Sequence, residues 1–315
     1  MIVGIFSSTE EKVISKFREK GLEVITIIRS DDNCEEIKRL NPDVLICRNR
    51  DNIEQFVHDC SNLKFVFIVE VGLEKLPFQE LIKHSVRVAN TSGISANIMS
   101  NYTLACILHH AANLEEDIAN KQNHYWKKYQ CTDSLSDKTL LVVGAGRTGT
   151  EIARKAKAFG MRTFGIVNHK RAVDYIDEVG TVEDLNQYLE ISDYVVCTIP
   201  LTPQTRYLFN KDRFRSMKRD AVFINISRGA IVNEEDLSYA VDKGLFAKAY
   251  LDVFETEPLP ANHAFWVHPN IIVTPHQSGR LENHLEKAVD LFFPNYAAFQ
   301  NGAMMPNEVN LKQGY

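Results

Sequence analysis

Long apolar runs are missing from this 315-residue chain: no stretch approaches the ~18 residues that cross a bilayer as a helix. The opening run Ile2-Val3-Gly4-Ile5-Phe6 is too short and too unflanked for a secretory leader, and reads as a strand. Cysteine is sparse and unpatterned. The six cysteines show neither a CxxC pair nor the spacing of a disulfide framework. Cys106 and Cys197 lie in apolar contexts and read as small core residues. Reduced thiols in a cytoplasmic protein, and no metal site, are the expectation. Positive charge is also short, with 36 Lys and Arg against 41 Asp and Glu and a net charge of -5. That balance leaves no global basic field for nucleic acid or an anionic membrane. Carboxylate-bearing small molecules must then be captured by local cations. Repeats and low-complexity segments are absent too.

What the chain does have is the make-up of a globular protein with a full core, at 44% hydrophobic and 24% charged residues. Its length suits two domains. Short apolar runs at 2–6, 23–27, 44–47, 65–69 and 87–89 alternate with helical patterns such as 10–20 and 76–83. Such alternation predicts βαβ units and a parallel sheet. A long helical pattern follows over 95–119, apolar around much of its circumference, and reads as a helix buried between domains. From 113 to 137 the sequence turns polar but carries His124, Tyr125, Trp126 and Tyr129, the composition of an arm that packs outside its own domain. A second series of strands is predicted at 139–143, 162–167, 194–198, 221–226, 247–252 and 271–274, the pattern of a doubly wound nucleotide-binding sheet. One more helix follows, from 281 to about 299, and then a polar tail. The fold class is therefore α/β in two domains. The first is discontinuous, 1–98 plus 281–315, and the Rossmann domain, 99–280, is inserted into it.

The run Leu140-Leu141-Val142-Val143 leads directly into Gly144-Ala145-Gly146-Arg147-Thr148-Gly149 and then a helix. Gly144 suits a tight turn, Gly146 a close approach of backbone to a pyrophosphate, and Gly149 close packing of helix on strand. The helix N-terminus then offers free N–H groups and the positive end of its dipole to phosphates. Arg147 either adds a cation there or is a solvated surface charge. An enzyme selective for NAD usually places an acid about 20 residues on, to accept from the ribose 2′-hydroxyl. Here the next strand ends in Asn168-His169-Lys170-Arg171, with no acid. Asn168 donates without repelling a 2′-phosphate, and Lys170 and Arg171 can pair with one. NADP(H) is the expected cofactor, with NAD(H) possible.

Downstream, one arginine, one aspartate, one glutamate and one histidine stand at successive strand ends. They are Arg228 in Asn225-Ile226-Ser227-Arg228-Gly229, Asp252 and Glu257 in Leu251-Asp252-Val253-Phe254-Glu255-Thr256-Glu257-Pro258, and His276 in Thr274-Pro275-His276. A cation for a carboxylate, a titratable imidazole and a carboxylate beside it are what reversible hydride transfer to a 2-oxo acid requires. Taken singly, each residue reads better as a packed or solvated side chain. Taken jointly, on the sheet that carries the glycine fingerprint, the catalytic reading prevails.

From Ser95 to His276 the chain resembles the D-isomer-specific 2-hydroxyacid dehydrogenases, which include glyoxylate/hydroxypyruvate reductases and phosphoglycerate dehydrogenases. Beyond the glycines, the likeness rests on Pro200-Leu201-Thr202-Pro203-Gln204-Thr205, Phe214-x-x-Met217-Lys218, Asn225-x-x-Arg228-Gly229, Val232-Asn233-Glu234, Asp252-Val253-Phe254 with Glu257-Pro258, and Thr274-Pro275-His276. The first domain matches more loosely, through Val71-Gly72-Leu73-Glu74 and Val88-Ala89-Asn90-Thr91.

The resemblance implies that Arg228 holds the substrate carboxylate and polarises its carbonyl. It implies that His276 is the general acid in reduction and the base in oxidation, with Glu257 favouring the protonated imidazole. It assigns Asp252 to the nicotinamide carboxamide, and the backbone N–H groups of Val71 and Gly72 to the substrate carboxylate. Further cofactor contacts carried over are Thr198, Pro200, Thr205, Ile226, Ser227 and Ser278. The 113–137 arm resembles the segment through which such enzymes form homodimers, with Trp126 a candidate to reach the partner's active site or to fill the dimer core. Two departures stand out: Ser100-Asn101 replaces an Ala-Glu pair, and Glu74 replaces an Asp. The leading expectation is an NADP(H)-preferring reductase of a small 2-oxo acid. Phosphoglycerate dehydrogenase is an alternative weakened by the lack of a basic cluster near Val71. An NAD(P)(H)-sensing scaffold without catalysis is the other, weakened by the intact Arg228, Glu257 and His276.

Overall fold

The computed structural model describes residues 1–6, 11–29, 33–128, 132 and 134–314. The chain divides into two compact units, Met1–Ile94 with Leu281–Tyr315, and Ser95–Arg280.

The first unit opens with strand β1 (Ile2–Phe6), helix α1 (Glu11–Glu19), β2 (Val24–Ile28), α2 (Asn33–Leu40), β3 (Val44–Cys47), α3 (Ile53–Asp59), β4 (Phe65–Ile68), α4 (Phe78–Lys83) and β5 (Arg87–Asn90). The five strands form one parallel sheet in the order β2-β1-β3-β4-β5, the flavodoxin-like order. β1, β3 and β4 are buried along their whole length, as expected of apolar runs covered on both faces by helices. The last helix of the chain, His284–Gln300, returns to this unit and places Phe292 against Phe17, Phe65 and Phe67. Each such ring pair adds about 0.5–1.5 kcal/mol beyond the area it buries. After that helix Arg87 binds Glu308 through two contacts of 2.7 and 2.6 Å and donates to Ala303 O, which fastens the tail to the sheet.

The second unit begins with α5 (Ala96–Ala111) and α6 (Leu114–Gln122). The single helix predicted over 95–119 is therefore corrected to two. Asn113 adopts a left-handed φ of 53° between them, a conformation that asparagine tolerates better than most residues. The acidic triplet Glu115, Glu116 and Asp117 then opens α6 at its positive dipole end. α5 packs along α7 (Arg147–Ala158) within the unit and buries Leu104, Cys106 and Ile107, while Leu108 stays exposed. α6 buries none of its residues.

The remaining strands are β6 (Thr139–Val143), β7 (Arg162–Ile166), β8 (Glu178–Gly180), β9 (Tyr194–Cys197), β10 (Val222–Asn225), β11 (Lys248–Leu251) and β12 (Ile271–Val273). Helices α8 (Leu185–Leu189), α9 (Lys211–Arg215) and α10 (Glu234–Asp242) lie between them, and His284–Gln300 is α11. All pairings are parallel, in the order β12-β11-β10-β9-β6-β7-β8. The order reverses between β6 and β9, so the doubly wound expectation holds, with its topological switch point beside the glycine loop. β8 has no counterpart in the sequence reading, because three residues with an exposed glutamate carry no apolar run. Among the described residues no helix is long and apolar enough to cross a membrane.

Candidate active site

The glycine loop joins β6 to α7 at the switch point. Gly144 takes a φ of 107°, and its N–H and that of Ala145 both donate to Ile166 O at the end of β7. Gly149 sits where an added Cβ would lie 2.4 Å from Gly144 O and 2.6 Å from Val142 Cγ1. Only glycine lets α7 start this close to β6. Around Gly146 an added Cβ would meet nothing within 4 Å, so the loop is open on the side where the first residues of α7 present their N–H groups. Thr198 Oγ1 donates to Gly144 O at 2.7 Å and ties the end of β9 to the loop. Pro200 O accepts from Thr205 Oγ1 at 2.7 Å, which closes the next turn. Asn168, His169, Lys170 and Arg171 follow β7 and are exposed, as are Gly146 and Arg147. These residues could hold a dinucleotide: open backbone N–H groups at a helix start, with a basic loop on the neighbouring strand.

The other half of the site grows from three adjacent strand ends. After β10, Asn225 Oδ1 accepts from Ser227 N and Oγ, and its Nδ2 donates to Arg228 O. One side chain thus builds the turn that presents Arg228, whose Nη1 donates to Ser227 O at 2.7 Å. Ile226 and Ser227 are buried beneath it. Cys197 Sγ lies 3.2 Å from Ser227 Oγ, whose proton is spent on Asn225, and burial pushes the Cys197 thiol up to about 11. Cys197 is therefore a protonated packing residue, not a nucleophile. Gly229 has no room for a side chain, since a Cβ there would fall 1.8 Å from the carbonyl carbon of Phe254. The Arg228 turn and the segment leading to Glu257 thus pack backbone on backbone. Asn233 caps α10 by accepting from Asp236 N, and Glu234 Oε1 accepts from Glu255 N at 2.8 Å, so Val232-Asn233-Glu234 braces that segment as well.

After β11, Asp252 is completely buried and both its carboxylate oxygens accept hydrogen bonds. Oδ1 accepts from Thr274 Oγ1 at 2.6 Å and from Gln277 N at 2.9 Å, and Oδ2 accepts from Ser278 N at 2.8 Å. Because the Thr274 hydroxyl spends its proton on Asp252, Tyr102 O–H must be the donor in its 2.6 Å contact with Thr274. Burial pushes the Tyr102 hydroxyl well above the ordinary phenol range, so that proton is retained. Ser278 is buried beside Asp252. The His276 N–H donates to Asp252 O at 2.8 Å, and His276 takes a left-handed φ of 49°. A histidine held in that sparsely populated region depends on surrounding structure that fixes it, and the Asp252 bonds supply it.

His276 Nδ1 lies 2.7 Å from Glu257 Oε2, and Glu257 Oε1 accepts from Phe254 N at 3.0 Å. A carboxylate oxygen can only accept, so Nδ1 carries hydrogen. The other ring nitrogen, Nε2, is the one available to a reacting group, and the imidazole is 47% exposed. Sequence reasoning singled out His276, Glu257, Asp252 and Arg228 but missed the Tyr102–Thr274 link and the Phe254 N–H. Thr274 was visible as part of Thr274-Pro275-His276. Tyr102, from a distant helix, carried no signal.

Val71 and Gly72 follow β4 in the first unit. Val71 is exposed, and its carbonyl accepts from Asn90 Nδ2 at 2.9 Å. In the first departure, Ser100 Oγ donates to Asn97 O at 2.7 Å inside α5, and Asn101 Oδ1 accepts from Lys155 Nζ of α7 at 2.5 Å. Tyr125 and Trp126 of the arm are exposed, Trp126 by 90%; Tyr129 and Cys131 lie outside the described residues.

Known proteins are similar to this chain over most of its length. The chain is 32% identical over 274 residues to glyoxylate reductase/hydroxypyruvate reductase of Mus musculus, covering 85% of this chain and 84% of that one. It is 32% identical over 276 residues to glyoxylate reductase of Thermofilum pendens, covering 85% and 81%. A D-isomer specific 2-hydroxyacid dehydrogenase from Xanthobacter autotrophicus, solved with NADPH and MES, superposes with a TM-score of 0.85 at 26% identity, covering 100% of this chain and 99% of that one. The NADPH-dependent glyoxylate/hydroxypyruvate reductase of Sinorhizobium meliloti, solved with NADP and sulfate, gives 0.82 at 25% identity, covering 100% and 99%. Residues 104–278, which hold the glycine loop, Arg228, Glu257 and His276, match the NAD binding domain of the D-isomer specific 2-hydroxyacid dehydrogenases. With that match across more than half its length, the chain belongs to the D-isomer specific 2-hydroxyacid dehydrogenase family.

Proposed function

We propose that this protein reduces a small 2-oxo acid to the D-2-hydroxy acid, with NADPH preferred over NADH. The observation that carries the reading is the 2.7 Å contact between His276 and Glu257 at the strand ends of the cofactor sheet. Relatives bearing the names glyoxylate and hydroxypyruvate reductase, and neighbours solved with NADPH or NADP, support it.

When bound, the nicotinamide supplies the hydride. Arg228 pairs with the substrate carboxylate and directs an N–H at the carbonyl oxygen, drawing electron density from the carbon that accepts hydride. His276 Nε2 gives its proton to the oxygen as the C–O double bond becomes single, leaving neutral imidazole that solvent reprotonates. Glu257, fixed by Phe254 N–H, keeps the ring oriented and balances its charge in the protonated state. In the oxidative direction the neutral imidazole takes the hydroxyl proton. Asn168, Lys170 and Arg171 bind the 2′-phosphate of NADPH, and their exposed place after β7 supports this assignment. Asp252 acts here by shaping the His276 turn, in addition to the cofactor contact the resemblance assigns to it. Two copies pair through the 113–137 arm, for which the exposed Tyr125 and Trp126 speak.

Initial rates of NADPH and NADH oxidation against glyoxylate, hydroxypyruvate, phenylpyruvate and branched 2-oxo acids test the reading. Turnover with at least one acid, faster with NADPH, is expected. Protein that binds NADPH yet turns over none of them would put a sensing role in place of catalysis.

A further inference from the structure

Three side chains of the first unit converge apart from the residues described above. His58 lies in the last turn of α3, Glu80 in the first turn of α4, and His84 caps α4, one i,i+4 step beyond Glu80 and so on the same face. Packing of α3 on α4 brings His58 to that face. Glu80 Oε2 lies 3.4 Å from His58 Nε2 and 3.6 Å from His84 Nε2. The two rings meet edge to face with centroids 5.4 Å apart. One ligand atom from each residue lies within 4.8 Å of the other two. A tetrahedral ion with bonds of ~2.0–2.1 Å needs ligand atoms roughly 3.3–3.4 Å apart. Two edges of this triangle already approach that length.

We propose that His58, Glu80 and His84 form a site for one divalent transition-metal ion of the zinc type, with the remaining coordination position open to solvent. Two imidazoles and one carboxylate suit zinc, nickel or copper, whereas magnesium and calcium demand oxygen ligands. Lys83 defines the competition at the site. Its ammonium donates to the same Glu80 oxygen at 3.0 Å, and this bond, more than any other interaction, holds the Glu80 carboxyl below the usual range. Metal and ammonium claim one oxygen, so removing Lys83 strengthens binding. The sequence reading expected no metal, because His58 stands on a different helix from the Glu80–His84 pair and only the fold joins them. The inference is independent of the reductase reading.

The full-length protein, stripped with chelator and dialysed, is titrated with zinc by calorimetry and with cobalt by visible absorption. One saturable equivalent is expected, with cobalt bands of low coordination number. His58→Ala and His84→Ala each weaken that equivalent at least tenfold, and Lys83→Gln tightens it several-fold. His276→Ala leaves it unchanged, which separates it from metal held by the Glu257–His276 pair. Circular dichroism checks that each variant is folded, and Glu80→Gln provides a second route should an alanine variant unfold. No saturable equivalent in the wild type, or equal affinity in wild type, His58→Ala and His84→Ala, overturns the proposal and leaves the cluster as a set of surface ion pairs.

Discussion

At the scale of single residues, the proposed chemistry rests on a histidine in a left-handed backbone conformation, locked by a buried aspartate. His276→Ala removes the proposed proton donor, and reduction is expected to fall at least ~10²-fold with NADPH affinity unchanged. In the wild type, reduction consumes a proton and oxidation of the hydroxy acid releases one, so reduction is expected to slow as pH rises while oxidation speeds up. Opposite slopes for the two directions in stopped-flow rates check this, and parallel slopes refute it. Thr274→Val takes from Tyr102 O–H its Thr274 acceptor and from Asp252 Oδ1 one of two donors, the Gln277 N–H remaining, at a cost of about 1–3 kcal/mol. The loop carrying His276 loosens, so kcat is expected to fall more than KM rises, and Thr274→Ser should restore both. Gly229→Ala drives a methyl group into the Phe254 backbone. Overpacking of this kind costs about 3 kcal/mol, and both Tm and turnover should drop together.

Elements act here as carriers of loops. β7 delivers Asn168 to Arg171 beside the glycine loop, which is itself bonded to the β7 end through Ile166 O. Asn168→Asp with Arg171→Ala replaces the proposed donors for a 2′-phosphate by an acceptor for a 2′-hydroxyl. Loss of a charge-assisted bond is worth about 1.5–3 kcal/mol, so the ratio of kcat/KM for NADPH over NADH should fall at least tenfold. An unchanged ratio would mean that the basic loop is merely solvated. β5 is anchored differently. Arg87 hydrogen-bonds Glu308 and thereby holds its carboxyl below the usual range. A depressed folded value stabilises the protein above the unfolded carboxylate range, and that stability is lost as pH falls through the folded value. Glu308→Gln should therefore destabilise the protein at neutral pH by on the order of 1 kcal/mol for a partly exposed pair, read as a lower Tm, and flatten the acid limb of the Tm profile.

For the molecule as a whole, the exposed arm raises the question of assembly. Tyr125 and Trp126 stand in solvent on a segment whose helix α6 buries none of its residues. Isolated apolar side chains need no explanation, but Tyr125 and Trp126 are adjacent, Leu114 and Ile118 of the same arm are exposed too, and the proposed dimer would cover them. Light scattering is expected to give a dimer, and Tyr125→Ser with Trp126→Ser to shift it toward monomer. A monomeric wild type would remove the arm from this role.

Much of this protein was legible in its sequence. The strands were readable because parallel strands covered on both faces are short uninterrupted apolar runs, and β1, β3 and β6 appear with the expected bounds. The glycine loop was readable because two of its three glycines answer a local steric demand, in the turn at Gly144 and the helix–strand approach at Gly149. The break at Asn113 also left a trace, an asparagine ahead of three acids, which a helical period running through it concealed. Tertiary structure alone decided the rest. Tyr102 reaches Thr274, Gly229 meets Phe254, and His58 meets Glu80 only after distant elements pack. Spacing along the chain encodes periodicity and turns, whereas contacts across the fold depend on how the sheet orders its strands. That ordering sets Arg228, Asp252 and His276 at the ends of three neighbouring strands.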